Sequence, residues 1–267
     1  MASKPPALRH NQGVRQARVS PQLPWLEPGD AFPSVTQAWG TSDPAPGLVA
    51  GGRDLSIPTL LDAYGHGIFP WFNEGQPILW WSPDPRTVLR PHAFKLHRSL
   101  RKTIKRLHLD GHLEVRFDHN FGDVIRECAR TPRKDQNGTW IVPDMVAAYT
   151  NLHRAGHAHS VETWIDGQLV GGLYAVMIGK MVFGESMFSH RSDASKIALA
   201  GLVAFALEHE LPMIDCQQNT AHMATLGSET MDRSEFCQQV ARHIEGPSPA
   251  WQFDPVYWKH LFSLDGY

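Results

Sequence analysis

The stretch from Ser160 to Gln217 constrains the fold more than any other part of this chain. Ser160 to Ile165 alternates and is rich in β-formers. Asp166-Gly167 follows, a pair suited to the positive φ that a two-residue hairpin turn demands. Gln168 to Met177 reads as a second strand, Ile178-Gly179-Lys180 as a second turn, and Met181 to Met187 as a third strand. The three form an antiparallel meander. Ser192-Asp193-Ala194 then opens an apolar helix, Lys196 to His209, and Met213 to Gln217 is a further short strand. A meander followed by a helix and another strand predicts an α+β layout, with helices on the faces of one mixed sheet.

The flanks are less regular. Residues 1–24 are polar and Pro-punctuated, and they read as a flexible tail. Residues 25–84 are rich in Pro, Gly and aromatics, with one short helix near Ile57 to Tyr64. Ser82-Pro83-Asp84-Pro85 is a stiff connector, because each proline restricts its predecessor to extended geometry. The boundary between a small N-terminal domain (25–84) and a larger domain (85–267) is placed there. Helices are also predicted over 97–107, Phe121 to Arg130, Pro143 to Ala155 with Gly156 as a stop, and Arg233 to Ile244.

Composition excludes several classes. Lys and Arg total 25 against 27 Asp and Glu, a net charge of −2, so diffuse attraction to nucleic acid is excluded. Basic charge is nevertheless concentrated in one helix. Arg98, Arg101, Lys102, Lys105 and Arg106 lie opposite Leu100, Ile104 and Leu107, with no acid among them. That stripe is either a surface for a polyanion such as RNA or an ordinary solvated face. Cys128, Cys216 and Cys237 form no Cys-x-x-Cys pair, so neither a disulfide framework nor a zinc ribbon is expected. No apolar run approaches the ~20 residues of a membrane span, and the N-terminus has no signal-peptide core. A cytoplasmic protein is expected.

Few residues qualify for chemistry. Asp215 and Gln217 alternate to one side at a strand end, where together they can hold an amine; alternatively Asp215 caps a turn. Glu185 shares a face with Phe183 and Met187 by alternation, and it either grips an ammonium in a pocket or pairs with a Lys or Arg. Cys216 alternates away and is expected to be buried and inert. His153, His157 and His159 straddle a helix stop, so solvated or capping roles are expected in place of a metal site. The segment 189–196 contains no Gly and carries Asp193 where a phosphate would sit, which weighs against a CoA donor.

The strand and helix order resembles the GNAT (N-acetyltransferase-like) fold. Eight blocks, GIFPWF (67–72), PILWWSPDPR (77–86), GTWI (138–141), LHRAGHAHSVETW (152–164), LVGGLYAV (169–176), FGESMFS (183–189), DASKIAL (193–199) and IDCQ (214–217), resemble the signature of the leucyl/phenylalanyl-tRNA–protein transferase family. The resemblance runs in order from about residue 45 to 236. It implies transfer of Leu, Phe or sometimes Met from aminoacyl-tRNA to the α-amine of proteins beginning with Arg or Lys, creating an N-degron. It implies a small N-terminal domain before a GNAT-like domain, and no cofactor or metal. By the same resemblance Asp215 and Gln217 match a catalytic pair and Glu185 a pocket carboxylate. Trp71 and Trp140 match aromatics around the tRNA 3′ adenosine. Leu173, Phe183 and Leu202, with Ser186 beside them, match the aminoacyl pocket. Arg98, Arg101, Lys102, Lys105 and Arg106 match an acceptor-stem surface. A monomer is expected. Ala175 stands where the family often has Gly, and some relatives carry Met or Phe at the positions of Leu173 and Leu202. The competing readings are a CoA-dependent N-acetyltransferase and a non-catalytic RNA-binding module.

Overall fold

The computed structural model describes residues 22–131 and 141–262. Two sheets organise these residues. The first contains β1 (Trp25–Leu26), β2 (Leu48–Gly52), β3 (Phe69–Pro70) and β4 (Leu79–Trp81), in the order β1-β2-β4-β3. Helix α1 (Ile57–Gly65) joins β2 to β3. The second contains β5 (Arg86–Leu89), β6 (Leu113–Phe117), β7 (Ala158–Ile165), β8 (Gln168–Ile178), β9 (Met181–Ser189), β10 (Ile214–Gln217) and β11 (Glu229–Met231). Its order is β11-β5-β10-β9-β8-β7-β6. All its pairings are antiparallel except β9 with β10. The helices around it are α2 (Arg98–Leu109), α3 (Phe121–Arg130), α4 (Pro143–Arg154), α5 (Ala194–Glu208), α6 (Ala221–Thr225), α7 (Arg233–His243) and α8 (Trp258–Phe262).

The meander stands as expected, and its first turn carries positive φ at both Asp166 and Gly167. The one mixed sheet expected for this region is present, and it is larger than the four strands read from the sequence. Residues 25–81 build a sheet of their own, and β5, β6 and β11 extend the larger one. These strands are short. β5 is buried throughout, so it lacks the alternation that marks a half-buried strand. β2 contains Gly51 and Gly52, which are poor β-formers. β6 does alternate, but it has only five residues between two helices.

Each face of the larger sheet has its own core. On one side Val124 and Ile125 of α3 and Met145 and Tyr149 of α4 pack with Tyr174, Phe183 and Phe188. Leu60, Tyr64, Ile68 and Trp80 from the first 84 residues belong to that same cluster. On the other side α5 packs with Leu173, Val182 and Ile214. It is apolar around most of its circumference because sheet, α2 and α8 all press on it. A Cβ on Gly201 would lie 2.9 Å from Val115 Cγ1, so glycine there lets the helix backbone approach the sheet. Aromatic residues of the C-terminal segment complete this side: Trp251 and Trp258 are buried in the cluster.

Candidate functional site

The site lies where two parallel strands part. β9 and β10 are paired only at Val182–Ile214 and Phe183–Asp215. Beyond that point a cavity of about 320 Å³ opens. Gly184, Glu185, Ser186 and Met187 of β9 line one wall, and Ile214, Asp215 and Cys216 of β10 line another. Leu173, Leu199 and Leu202 add apolar lining. Thr220, His222 and Met223, at the start of α6, close a third side. The lining therefore combines apolar side chains with the carboxylate-bearing residues Glu185 and Asp215.

Glu185 owes its position to a break in the β8–β9 register. Tyr174 pairs with Ser186 and Ala175 with Gly184, so Glu185 is an extra residue on the bulged strand. The alternation that puts Phe183, Glu185 and Met187 on one face is corrected accordingly. Phe183 belongs to the cluster with Tyr64, while Met187 packs on the opposite cluster. Phe183 is fully buried beside the Tyr64 ring, with centroids 5.0 Å apart, and it does not line the cavity. The alternative of a Lys or Arg partner for Glu185 is also corrected. Its partners are Tyr64, whose hydroxyl donates to Oε1 at 2.6 Å, Tyr149, which donates to Oε2 at 3.2 Å, and Gln217, whose Nε2 donates to Oε1 at 3.0 Å. The two tyrosine hydroxyls also contact one another.

These contacts bear on where the proton of Glu185 resides. If Glu185 is ionised and both tyrosines donate to it, no hydrogen remains for the contact between the hydroxyls. If Glu185 carries a proton, Oε2 can donate to Tyr149, Tyr149 to Tyr64, and Tyr64 to Oε1. Each oxygen on that ring then donates or accepts without conflict. Burial points the same way: it raises the Glu185 pKa to about 8, with the Asp215 charge adding to the rise and the Tyr64 hydrogen bond opposing it. Burial beside Glu185 also pushes both tyrosine hydroxyls well above their ordinary range, so they stay protonated.

Asp215 is fully buried, and both its oxygens are taken. Arg86 Nε donates to Oδ1 at 2.8 Å and Nη2 to Oδ2 at 2.6 Å, a bidentate pair. The Gln217 backbone N–H also donates to Oδ1, at 2.9 Å. Asp215 and Gln217 do converge, but not by simple alternation. The β5–β10 register shifts between them, and Gln217 adopts a left-handed φ of 60°. The carboxylate that was expected to hold an amine is instead occupied by an arginine and a backbone amide. Cys216 is half-buried and lines the cavity, which corrects the expectation that it is buried on the opposite face; its thiol is nevertheless raised far above its usual range by desolvation, as for an inert cysteine.

The sequence gives little warning of Arg86, Tyr64 or Tyr149. Arg86 does sit beside the buried Thr87, Val88 and Leu89, and an arginine so placed must find an acid. Trp71 is half-buried with its ring 5.4 Å from that of Trp81, which donates to the Trp71 carbonyl at 2.7 Å. Trp140 lies outside the described residues. On α2, Arg98, Lys102, Lys105 and Arg106 are exposed. Arg101 reaches the Leu261 carbonyl at 3.4 Å, and Lys105 lies 5.0 Å from the Phe262 ring centre. The histidines are packed more than expected: His153 stacks on Phe121 at 4.2 Å, and His159 bonds Asp118 at 2.7 Å and stacks on Trp251. No metal-holding cluster of His, Cys, Asp or Glu occurs among the described residues. At the start of α5, Asp193 pairs with Lys196 at 2.8 Å.

Residues 88–241 match the family described as "Leucyl/phenylalanyl-tRNA protein transferase", and residues 53–84 match its N-terminal domain. The chain belongs to this family. A leucyl/phenylalanyl-tRNA–protein transferase of Polaromonas sp. is 58% identical over 91% of this chain and 95% of its own length. One from Paraburkholderia phytofirmans is 54% identical over 87% of this chain and 95% of its own. The solved L-PGS of Bacillus licheniformis aligns at 11% identity and a TM-score of 0.36, covering 75% of this chain and 67% of that one, too slight a likeness to bear on the fold. No described helix is long and apolar enough to cross a membrane.

Proposed function

We propose that this protein transfers leucine or phenylalanine, and also methionine, from aminoacyl-tRNA to the N-terminal α-amine of proteins beginning with Arg or Lys, producing an N-degron. One observation carries the reading: the cavity between β9 and β10 is lined by both apolar side chains and Glu185. Leu173, Leu199, Leu202 and Met223 would receive the apolar side chain of the aminoacyl group. The ester carbonyl and the incoming amine would then lie toward Glu185, Ser186 and Gln217. The names of the relatives support the same reaction.

The chemistry needs no added activation, because an aminoacyl ester is already activated. The accepting ammonium must lose a proton, and its reference pKa is about 8. The ammonium loses that proton to solvent, and Glu185, raised to about 8 by burial, gives up its own proton at little cost, so the reacting complex pairs a free amine with an ionised Glu185. The free amine attacks the ester carbonyl and the C–N bond forms; the nitrogen then passes its second proton to ionised Glu185, the C–O3′ bond breaks, and Glu185 hands that proton to the departing 3′ oxygen. Gln217 orients Glu185, and Asp215 holds the strand end without taking part in proton transfer.

The other assignments belong to the same reading. Trp71, backed by Trp81, and Trp140 would stack on the terminal adenosine, a contact worth about 1–3 kcal/mol per base. The exposed cations of α2 would follow the acceptor stem. The parting of parallel β9 and β10 supports a GNAT-like larger domain, with residues 25–84 as a small N-terminal domain packed into the same core. We read the protein as a cytoplasmic monomer. The test is a transfer assay with Leu-, Phe-, Met- and Arg-tRNA in parallel, against peptides starting with Arg, Lys or Ala. Leu, Phe and Met are expected on the Arg and Lys peptides alone. Absence of leucyl transfer with competent substrates overturns the reading. Acetyl-CoA binding would favour the acetyltransferase alternative.

A further inference from the structure

We infer that Arg86 is a positioning residue for aminoacyl transfer: it holds the Asp215–Gln217 strand end and the Gly67–Phe72 loop in the one relative placement that delivers the Gln217 amide to Glu185. The inference rests on the transferase reading above and adds a residue which that chemistry does not name. Arg86 is wholly buried. Each of its three directions is committed. Nε and Nη2 grip the two Asp215 oxygens at 2.8 and 2.6 Å, and Nη1 donates to the Gly67 carbonyl at 3.1 Å. Its guanidinium lies over the rings of Phe69 and Phe236, at 4.8 and 4.5 Å from their centres. Gly67 and Phe69 lead directly into Trp71, whereas Asp215 leads into Gln217. A single planar group therefore touches both segments assigned to substrate.

The consequence for Gln217 is stereochemical. A non-glycine residue enters the left-handed region only when its surroundings insist. Here the Gln217 N–H is fixed on Asp215 Oδ1, and that oxygen is fixed by Arg86 Nε. The chain then turns at φ 60° and brings Nε2 within 3.0 Å of Glu185. A lysine at position 86 keeps the positive charge but is a point donor, unable to reproduce a planar two-point grip and a third bond at once. Charge pairing survives that change and geometry does not.

Arg86→Lys is the informative variant, measured in single-turnover leucyl transfer to an Arg-starting peptide alongside Leu-tRNA binding and thermal melting. The expected result is a transfer rate 10- to 100-fold lower, with Leu-tRNA affinity within about threefold of wild type and a cooperative melt. Transfer within threefold of wild type overturns the inference. So does a rate that falls only in proportion to a loss of tRNA affinity or of folded protein, which would mark Arg86 as structural. If Arg86→Lys does not fold, the double variant Arg86→Gln/Asp215→Asn replaces the ion pair with two neutral amides and decides the matter. Folded protein that binds Leu-tRNA but transfers at least 100-fold more slowly supports the inference, and wild-type transfer overturns it. Wild-type protein that transfers nothing would instead remove the transferase reading itself.

Discussion

Glu185 is the residue on which the chemistry turns, and its environment makes two separable statements. The first concerns rate. Glu185→Gln keeps the size of the side chain and an acceptor for Tyr64, but it cannot move a proton. Transfer is expected to fall roughly 100- to 10,000-fold, the usual worth of a general acid–base, while Leu-tRNA binding is retained in a filter assay. The second concerns stability. Burial raises the native pKa from 4.5 to about 8, so between those values the native state holds a proton that the unfolded chain has released. Folding stability from this group is therefore fully present below about pH 4.5 and is lost as pH rises through about 8. Melting wild type and Glu185→Gln in parallel from pH 5 to 8.5 should show the variant gaining on wild type as pH rises. A constant gap would mean that Glu185 titrates alike in both states.

Much of this residue-scale picture is legible in the sequence, though not its wiring. Asp215, Gln217 and Glu185 are singled out by strand-end position and by the family blocks, and the structure brings them together. Their partners are not legible. Tyr64 lies 121 residues before Glu185, and Arg86 lies 129 before Asp215. No local period links positions so far apart. The bulge at Glu185 is likewise invisible, because alternation is a rule about regular strands and a bulge is a departure from it.

At the scale of elements, α6 and α2 each carry an expectation that composition alone would not give. The short helix α6 closes the cavity with Met223, whose backbone N–H is held by the Thr220 hydroxyl at 3.2 Å. Methionine adapts to differently shaped neighbours, which suits a pocket taking Leu, Phe and Met. Met223→Phe places a rigid ring in that space. It should lower kcat/KM for Phe-tRNA by about 10-fold or more relative to Leu-tRNA, within the ~1–3 kcal/mol that pocket volume can discriminate. Parallel assays with the two tRNAs would show it, and an unchanged ratio would place the side chain elsewhere. On α2 the five cations are not equivalent. Arg101 and Lys105 turn toward Leu261 and Phe262, whereas Arg98, Lys102 and Arg106 face outward. Replacing the outward three with alanine should flatten the salt dependence of tRNA binding, by about 0.7–0.9 in log–log slope for each phosphate that the helix no longer neutralises. Lys105→Ala should change it less. Equal effects would show that the C-terminal segment does not divert Lys105.

At the scale of the whole molecule, the two sheets are distinct in strand order but share one core, and this decides how the protein should unfold. Leu60, Tyr64, Ile68 and Trp80 from the first 84 residues are packed in the same cluster as Tyr149, Tyr174 and Phe183. Arg233 ties the connector as well, donating to the Ser82 carbonyl at 2.8 Å, with its backbone N–H on Asp84 at 3.1 Å. Removing the smaller sheet would strip apolar cover from Phe183 and leave Glu185 without Tyr64, so the larger sheet has little reason to persist alone. Leu60→Ala, a buried truncation on α1, should cost about 2–5 kcal/mol. At about 2–4 °C per kcal/mol for a chain near this size, Tm would fall by roughly 4–20 °C. The decisive observation is the shape of the calorimetric trace. A shared core requires the whole endotherm to move as one transition, with calorimetric and van't Hoff enthalpies still in agreement. If the variant instead shows a new low-temperature peak while a second peak stays at the wild-type temperature, the two sheets fold independently and the contact of Tyr64 with Glu185 is held by surface packing alone.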